Sequence, residues 1–266
     1  MTDLDGDLAA DHLLAAELAH GAGAVLLEVR ARLVAQGASA AELKAAGDSA
    51  AHDYLMARLA EDRPGDAILS EEGSGSEGPT GTTRLGHPRV WIVDPLDGTR
   101  EFSEPPRTDW AVHVALVSDG RPVAGAVALP ALGQVLNRVP APALPPAPPA
   151  RPRVIVSRSR PPAVALHLAE ALDAELVEMG SAGAKVAAVV LGQADVYPHA
   201  GGQYEWDSCA PVAVASAAGL VATRLDGSPL VYNNADPYLP DLLVCHPDLA
   251  LPVRSVLDRW LAEHHS

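Results

Sequence analysis

Three short stretches carry carboxylates at the ends of apolar runs: Ser70-Glu71-Glu72, Asp94-Pro95-Leu96-Asp97-Gly98-Thr99 and Trp206-Asp207. In the second, proline removes a backbone donor and fixes φ, while glycine opens a conformation closed to other residues. The result is a tight loop that can turn two carboxylates to one side. Carboxylates that converge without lysine or arginine between them repel one another, and each tends to stay protonated unless a cation neutralises the group. Ligation by oxygen alone, with no histidine nearby in sequence, selects a hard ion such as Mg²⁺ over zinc. Taken singly each stretch is ordinary: Asp97-Gly98 a turn, Glu71-Glu72 a solvated strand end, Asp207 and Asp48 helix caps. Their joint occurrence along one chain points to a site.

The elements that must position these groups follow from periodicity. Leu14, Leu18, Val25, Val29 and Leu33 recur at helical spacing between Asp7 and about Gln36, and Gly37 is a stop. A second helix is expected from Asp48, with Ala51, Leu55 and Leu59 on one face, ending before Pro64. Short apolar runs then deliver Glu71 and Asp94, and strands are expected at Trp110 to Val117 and Val123 to Leu129 around the turn Asp119-Gly120. Later come a strand at Val154 to Ser157, a helix at about Ala163 to Leu172, and a short strand at Glu175 to Val177. A helix after Gly180-Ser181, a strand at Ala194 to Tyr197 and a helix from about Asp207 to Ala218 complete the pattern. Helices precede strands in the first half and alternate with them in the second, an α+β half followed by an α/β half. Seven prolines between Pro140 and Pro152 exclude helix and central strand there. The expected division is therefore 1–140, carrying most of the acidic groups, an extended connection 141–152, and 153–266.

Composition bounds the partners. The 266 residues hold 19 Lys plus Arg against 34 Asp plus Glu, a formal charge of −15, so a nucleic-acid-backbone binder is excluded unless cations intervene. Apolar residues make up 48%, ordinary for a globular protein, which excludes whole-chain disorder. Cys209 and Cys245 have no CxxC spacing, which fits a reducing compartment and neither a disulfide framework nor a thiolate zinc site. The acidic N-terminus lacks a signal peptide's basic and apolar regions, and no run approaches about 18 uninterrupted apolar residues. A cytoplasmic protein with no membrane partner is expected. Gly73 to Gly78 lacks the Gly-Lys-Ser/Thr of a phosphate-binding loop and reads as a mobile segment near the site, while Lys185 reads as a solvated cation on a helix.

One covalent mechanism is set aside on spacing. Phosphatases with an aspartate nucleophile carry Asp-x-Asp-Gly-Thr after a strand; here Pro95 and Leu96 both stand between the aspartates, and the extra residue moves the first carboxylate out of the nucleophile's position.

The ordered set Ser70-Glu71-Glu72, Trp91 to Thr99 and Trp206-Asp207 resembles the three motifs of the inositol-monophosphatase superfamily of Mg²⁺-dependent, Li⁺-sensitive phosphatases, over about Asp48 to Leu230. Thr99-Arg100-Glu101-Phe102, Val156-Ser157-Arg158-Ser159, Val196-Tyr197-Pro198 and Glu205-Trp206-Asp207 resemble its bisphosphate-nucleotidase branch, which acts on 3'-phosphoadenosine 5'-phosphate. Two departures bear on substrate preference: only Asp48 remains of the usual Ser-Pro-Val-Thr-x-x-Asp, and Arg160 stands where histidine is common.

The resemblance implies a layered α-β-α-β-α sandwich of the inositol-monophosphatase / fructose-1,6-bisphosphatase type. It implies one Mg²⁺ on Glu71, Asp94 and the Leu96 carbonyl, a second on Asp94, Asp97 and Asp207, and a weaker third at Glu71. Asp48 and Thr99 match the pair that orients and deprotonates the attacking water, while the ions activate that water and neutralise the leaving 3' oxygen. The N–H groups of Gly98 and Thr99 would receive phosphate oxygens. Asp97, Arg100, Ser157, Arg158, Ser181, Glu205 and Asp207 would complete the substrate contacts, with Ser157 and Arg158 toward the nucleoside and Ser181 and Glu205 on the rim. A role in sulfate assimilation and a homodimer are further expectations. Inositol phosphates and fructose 1,6-bisphosphate are the alternative substrates. A non-catalytic metabolite or metal sensor is the alternative of another class, disfavoured because every ligand and both water-orienting residues are present.

Overall fold

Apolar runs of four to nine residues build a first sheet in the order of the chain: β1 (Ala67–Ser70), β2 (Val90–Asp97), β3 (Ala111–Ser118), β4 (Arg121–Leu129) and β5 (Gln134–Asn137). The computed structural model describes residues 3–73 and 82–264; residues 74–78 of the glycine-rich segment lie outside them. β1 runs parallel to β2 and the other neighbours are antiparallel. Before this sheet come two helices, α1 (Asp3–Ala35) and α2 (Ala40–Asp62), and the short α3 (Thr99–Phe102) follows β2. The second half supplies β6 (Arg153–Ser157), α4 (Ala163–Ala171), β7 (Glu175–Met179), α5 (Ala182–Val190), β8 (Val196–Tyr204), α6 (Glu205–Ala217), β9 (Val221–Thr223), β10 (Tyr238–Cys245) and α7 (Ala250–His264). Its sheet has the order β7-β6-β8-β10-β9.

Both faces of each sheet are apolar and must be covered, which dictates five layers. α1 and α2 put Leu18, Leu26, Leu55 and Leu59 against Trp91, Val93, Val114 and Ala126 on one face of the first sheet. The opposite face, with Ile92, Ala115 and Val127, meets α5 and α6 through Val186, Val189, Ala210 and Val214. The same helices cover Ile155, Leu242 and Val244 of the second sheet. α4 and α7 close the far side with Leu168, Val253 and Leu257. The expected α-β-α-β-α sandwich is the fold. α1 is long and apolar enough to cross a membrane by composition, but Leu14, Leu18, Ala22 and Leu26 are spent on this core.

Several element boundaries depart from the sequence reading. α2 starts at Ala40 rather than Asp48, because Ser39 and Glu42 form a capping box: Glu42 N–H donates to Ser39 Oγ and Ser39 N–H to Glu42 Oε2. Asp48 therefore lies inside the helix and caps nothing. Asp207 is likewise not the first residue of its helix, since α6 begins at Glu205 after β8 runs on to Tyr204. β5, β9, β10 and α7 are additions. The ends of α1 and α2 are tied to the first sheet by Asp11, only 1% exposed, which accepts from Arg63 Nε and from both terminal nitrogens of Arg89, each at 2.9 Å. Arg89 also donates to Asp66, whose carboxylate accepts from Trp91 Nε1 at 2.9 Å.

Candidate active site

Parallel pairing places Ser70 beside Val93, so Glu71 and Asp94 emerge together where the pairing of β1 with β2 ends. A regular strand would send Asp94 and Asp97, three residues apart, to opposite faces. The ladder with β3 instead slips: Asp94 pairs with His113 and Asp97 with Ala111, so β2 carries one extra residue in this interval. That bulge, with Pro95 lacking an N–H, brings both carboxylates to the same side. Asp94 Oδ1 accepts the Leu96 N–H at 3.0 Å, and Gly98 at φ +85° turns the chain into α3. A side chain at 98 would be strained by that φ and would press Ser181, Asp109 and Trp110.

Asp207 joins this group from the middle layer. One ligand oxygen from each of Asp94, Asp97 and Asp207 lies within 4.8 Å of the others, and Asp207 Oδ2 accepts the Tyr204 N–H at 2.7 Å. Burial and the charge of Asp97 push Asp207 up to about 7. Glu71 presents surface to solvent, yet lost hydration around its carboxyl and the charge of Asp207 push it up to about 7 as well. Asp94, fully enclosed, is raised well above its ordinary value by burial and by Glu71, with which it shares a hydrogen bond.

Asp97 behaves oppositely. Burial would raise it, but His113, Ser181 and the charge of Lys185 outweigh that and hold it down to about 2. Its Oδ2 accepts Ser181 Oγ–H at 2.6 Å and the Gly183 N–H at 2.5 Å, and its Oδ1 accepts the Ala182 N–H at 3.1 Å. Asp97 thus anchors the first turn of α5 and keeps a lone pair of Oδ1 for a ligand. Carboxylates packed this closely and held partly protonated in the absence of a cation are a donor set suited to a hard divalent ion.

Beside the cluster, Thr99 Oγ1 lies 3.2 Å from Asp48 Oδ1 and 3.1 Å from the Leu96 carbonyl, and its single proton serves one of them at a time. Burial and then the charge of Glu72 push Asp48 up to about 6. Gly47 permits this meeting: a Cβ there would stand 2.7 Å from Phe102 and 2.9 Å from Leu96, so α2 packs directly on the loop. Arg30 braces the other end of α3, donating to the carbonyls of Phe102 at 2.8 Å and Arg107 at 2.9 Å while lying over the Phe102 and Trp110 rings.

Next to Asp97 a cavity of about 440 Å³ is lined by residues that include Arg100, Ser157, Arg160, Ser181 and Lys185. Arg100, Ser157 and Ser181 thus share one cavity. Arg158, expected toward the nucleoside, has its guanidinium on Glu101 and Glu104, both at 2.7 Å. Glu205 is not on a rim: it is 1% exposed, and its carboxylate accepts from the N–H groups of Asn233 and Asn234 and from the Asn234 amide, pinning the chain before β10. Lys185 is not solvated either; it is buried and donates to the carbonyls of Gly180 and Ser181. Cys209 is enclosed and burial raises its thiol well above the ordinary range, so it offers no thiolate.

One group escaped the sequence reading. His113 is fully buried, with Nδ1 3.0 Å from the Trp206 carbonyl and Nε2 3.2 Å from Asp97 Oδ2. Burial works against its charged form, but Asp97 and that carbonyl outweigh the penalty and raise its pKa. The available signal was a polar residue inside the apolar run Ala111-Val112-His113-Val114-Ala115.

Comparison with known proteins gives a consistent pattern. The model of the inositol monophosphatase family matches residues 9–140 and 152–256. A 3'-phosphoadenosine 5'-phosphate phosphatase from Mycobacterium bovis is 50% identical over 248 residues, covering 90% of each chain. The 3'(2'),5'-bisphosphate nucleotidase CysQ of Escherichia coli K12 is 34% identical over 206 residues, covering 73% of this chain and 81% of its own. The crystal structure of CysQ from Bacteroides thetaiotaomicron, a bacterial member of the inositol monophosphatase family, superposes with a TM-score of 0.73 at 27% identity, covering 89% of this chain and 97% of that one.

Proposed function

The chain belongs to the inositol monophosphatase family, and from that premise we propose that it removes the 3'-phosphate of 3'-phosphoadenosine 5'-phosphate, giving AMP and phosphate, and acts on the sulfated precursor of that nucleotide as well. The observation that carries the reading is the meeting of Asp94, Asp97 and Asp207 beside the Asp48–Thr99 contact. The relative from Mycobacterium bovis, named for that reaction, supports the choice of substrate.

Glu71, Asp94, the Leu96 carbonyl, Asp97 and Asp207 would hold two Mg²⁺ ions, and Glu71 would also reach a weaker third. When bound, the ions supply what the protein lacks, positive charge to offset a phosphate dianion and acidity for water. Asp48, titrating near 6, is poised to take a proton from the attacking water at neutral pH, and Thr99 orients it. The backbone N–H groups of Gly98 and Thr99, at the turn into α3, would receive phosphate oxygens. Arg100 and Arg160 in the adjoining cavity give positive charge for the second phosphate, which an inositol monophosphate does not have. Li⁺ inhibition, a homodimer, the cytoplasm and a place in sulfate assimilation belong to the same proposal.

Phosphate release from the nucleotide, inositol 1-phosphate and fructose 1,6-bisphosphate, each with and without Mg²⁺, tests it. The nucleotide is expected to react fastest and only with the ion; equal rates for inositol 1-phosphate and the nucleotide would overturn the substrate assignment. Asp94→Asn is expected to abolish turnover with the fold intact, and retained Mg²⁺-dependent activity in it would sink the metal site.

A further inference from the structure

His113 touches both halves of the acidic cluster. On β3 it is the cross-strand partner of Asp94, so the two side chains leave the sheet on the same face, and Nδ1 stands 4.0 Å from Asp94 Oδ2. The Trp206 carbonyl can only accept, so Nδ1 carries a hydrogen toward it at 3.0 Å. Nε2, with no surface open to solvent, lies against Asp97 Oδ2 at 3.2 Å without the alignment of a hydrogen bond. Trp206 immediately precedes Asp207. One rigid ring thus spans from the bulge of the first sheet to the opening turn of α6.

Space around the ring is reserved for it. A Cβ on Gly183, in the first turn of α5, would fall 1.8 Å from Nε2, so no side chain at 183 is compatible with the imidazole where it stands. The ring is wedged among β2, α5 and α6, the elements that fix Asp97 and Asp207. The ring thus abuts Asp97 at 3.2 Å on one side, and a slide of α6 would break its contact with the Trp206 carbonyl on the other.

We propose that His113 is a positioning residue that sets the separation of Asp97 and Asp207, and so the affinity for the ion that these carboxylates share. The inference rests on the reading of the cluster as a metal site. A partner of this kind, behind a metal-binding carboxylate, is worth about 10–100-fold in ion affinity. The ion held by Glu71 and Asp94 should be affected less, because Asp94 stands 4.0 Å from the ring against 3.2 Å for Asp97, and Glu71 follows from the register of β1 on β2.

The test is calorimetric titration of Mn²⁺ into chelator-stripped protein for the parent, His113→Leu and His113→Asn, with melting of each metal-free form. Expected are two binding steps in the parent, a loss of about 10–100-fold in one step only for His113→Leu, and a smaller loss for His113→Asn, whose amide still donates. Parent-like affinity in both variants overturns the proposal, as does an equal loss in both steps accompanied by a lower melting temperature. If His113→Leu does not fold, His113→Asn decides: a selective loss supports the role and parent affinity refutes it. A parent that binds no Mn²⁺ removes the metal reading itself, and the role of His113 with it.

Discussion

Ion binding to this cluster should expel protons, and the count can be worked out from the crowding of its carboxylates. Glu71 and Asp207 are each pushed up to about 7. A group titrating at 7 is about 0.9 protonated at pH 6 and about 0.1 at pH 8, so each ion releases about 0.8 more protons at pH 6 than at pH 8 and the pair of ions about 1.6. Each raises the affinity of its own ion by a factor of about 10 over that range, or about 100-fold in the product of the two binding constants. The metal-free protein should show the opposite trend in stability. A carboxyl raised from 3.8 to about 7, as Asp207 is, binds more protons folded than unfolded between those values. Stability is therefore full below about pH 4 for this group and is lost as pH rises toward 7, by about 2 kcal/mol once screening at its exposed edge is allowed for. For a chain of this size that is a fall of roughly 4–8 °C in Tm. Calorimetry of Mg²⁺ binding in buffers of different ionisation enthalpy gives the proton count directly, and melting at pH 5 and pH 7.5 gives the stability. A proton count independent of pH between 6 and 8, with a Tm that rises over the same interval, would refute the reasoning.

Two further substitutions separate chemistry from scaffold. Thr99→Val removes the hydroxyl between Asp48 and the Leu96 carbonyl; kcat should fall about 100-fold or more with KM little changed, and Thr99→Ser should recover most of it in steady-state assays. Asp11→Asn leaves Arg63 and Arg89 without their shared carboxylate far from the site, so urea unfolding should register a loss of about 2 kcal/mol while activity per folded molecule is unchanged.

Much of the site was readable because its carboxylates sit at the ends of apolar runs, and strand termini are what such runs define. Glu71 and Asp94 fall into this class, and Asp207 was legible instead from its place at the opening of a helix. What makes Asp94 and Asp97 face the same way is a bulge, a property of the pairing with β3 that no local pattern records. The start of α2 was legible in principle, since Ser39-Ala40-Ala41-Glu42 is a capping box, but Gly47 reads as a helix break until Phe102 and Leu96 are seen packed on it. β10 carries Pro240 and Asp241 at a register shift, which breaks the alternation that marks a strand. Glu205 has the same letter whether it faces substrate or holds a loop, and the choice is made by Asn233 and Asn234 nearly thirty positions later. His113 was passed over because its partners come from β2 and from the Trp206 carbonyl, both distant along the chain.

The acidic cluster is assembled from widely separated parts of the chain, and synthesis delivers them in order. Asp48, Glu71, Asp94 and Asp97 all leave the ribosome well before Ser181 to Gly183, which anchor Asp97, and before Asp207. A nascent first half therefore displays carboxylates that have neither their helix-end donors nor their last companion, and its grip on an ion is weak. Tight capture waits for the second sheet and α6 to dock. From then on an ion seated among these groups links the front of one sheet to a helix of the middle layer, a late-closing clasp that resists the parting of the two halves.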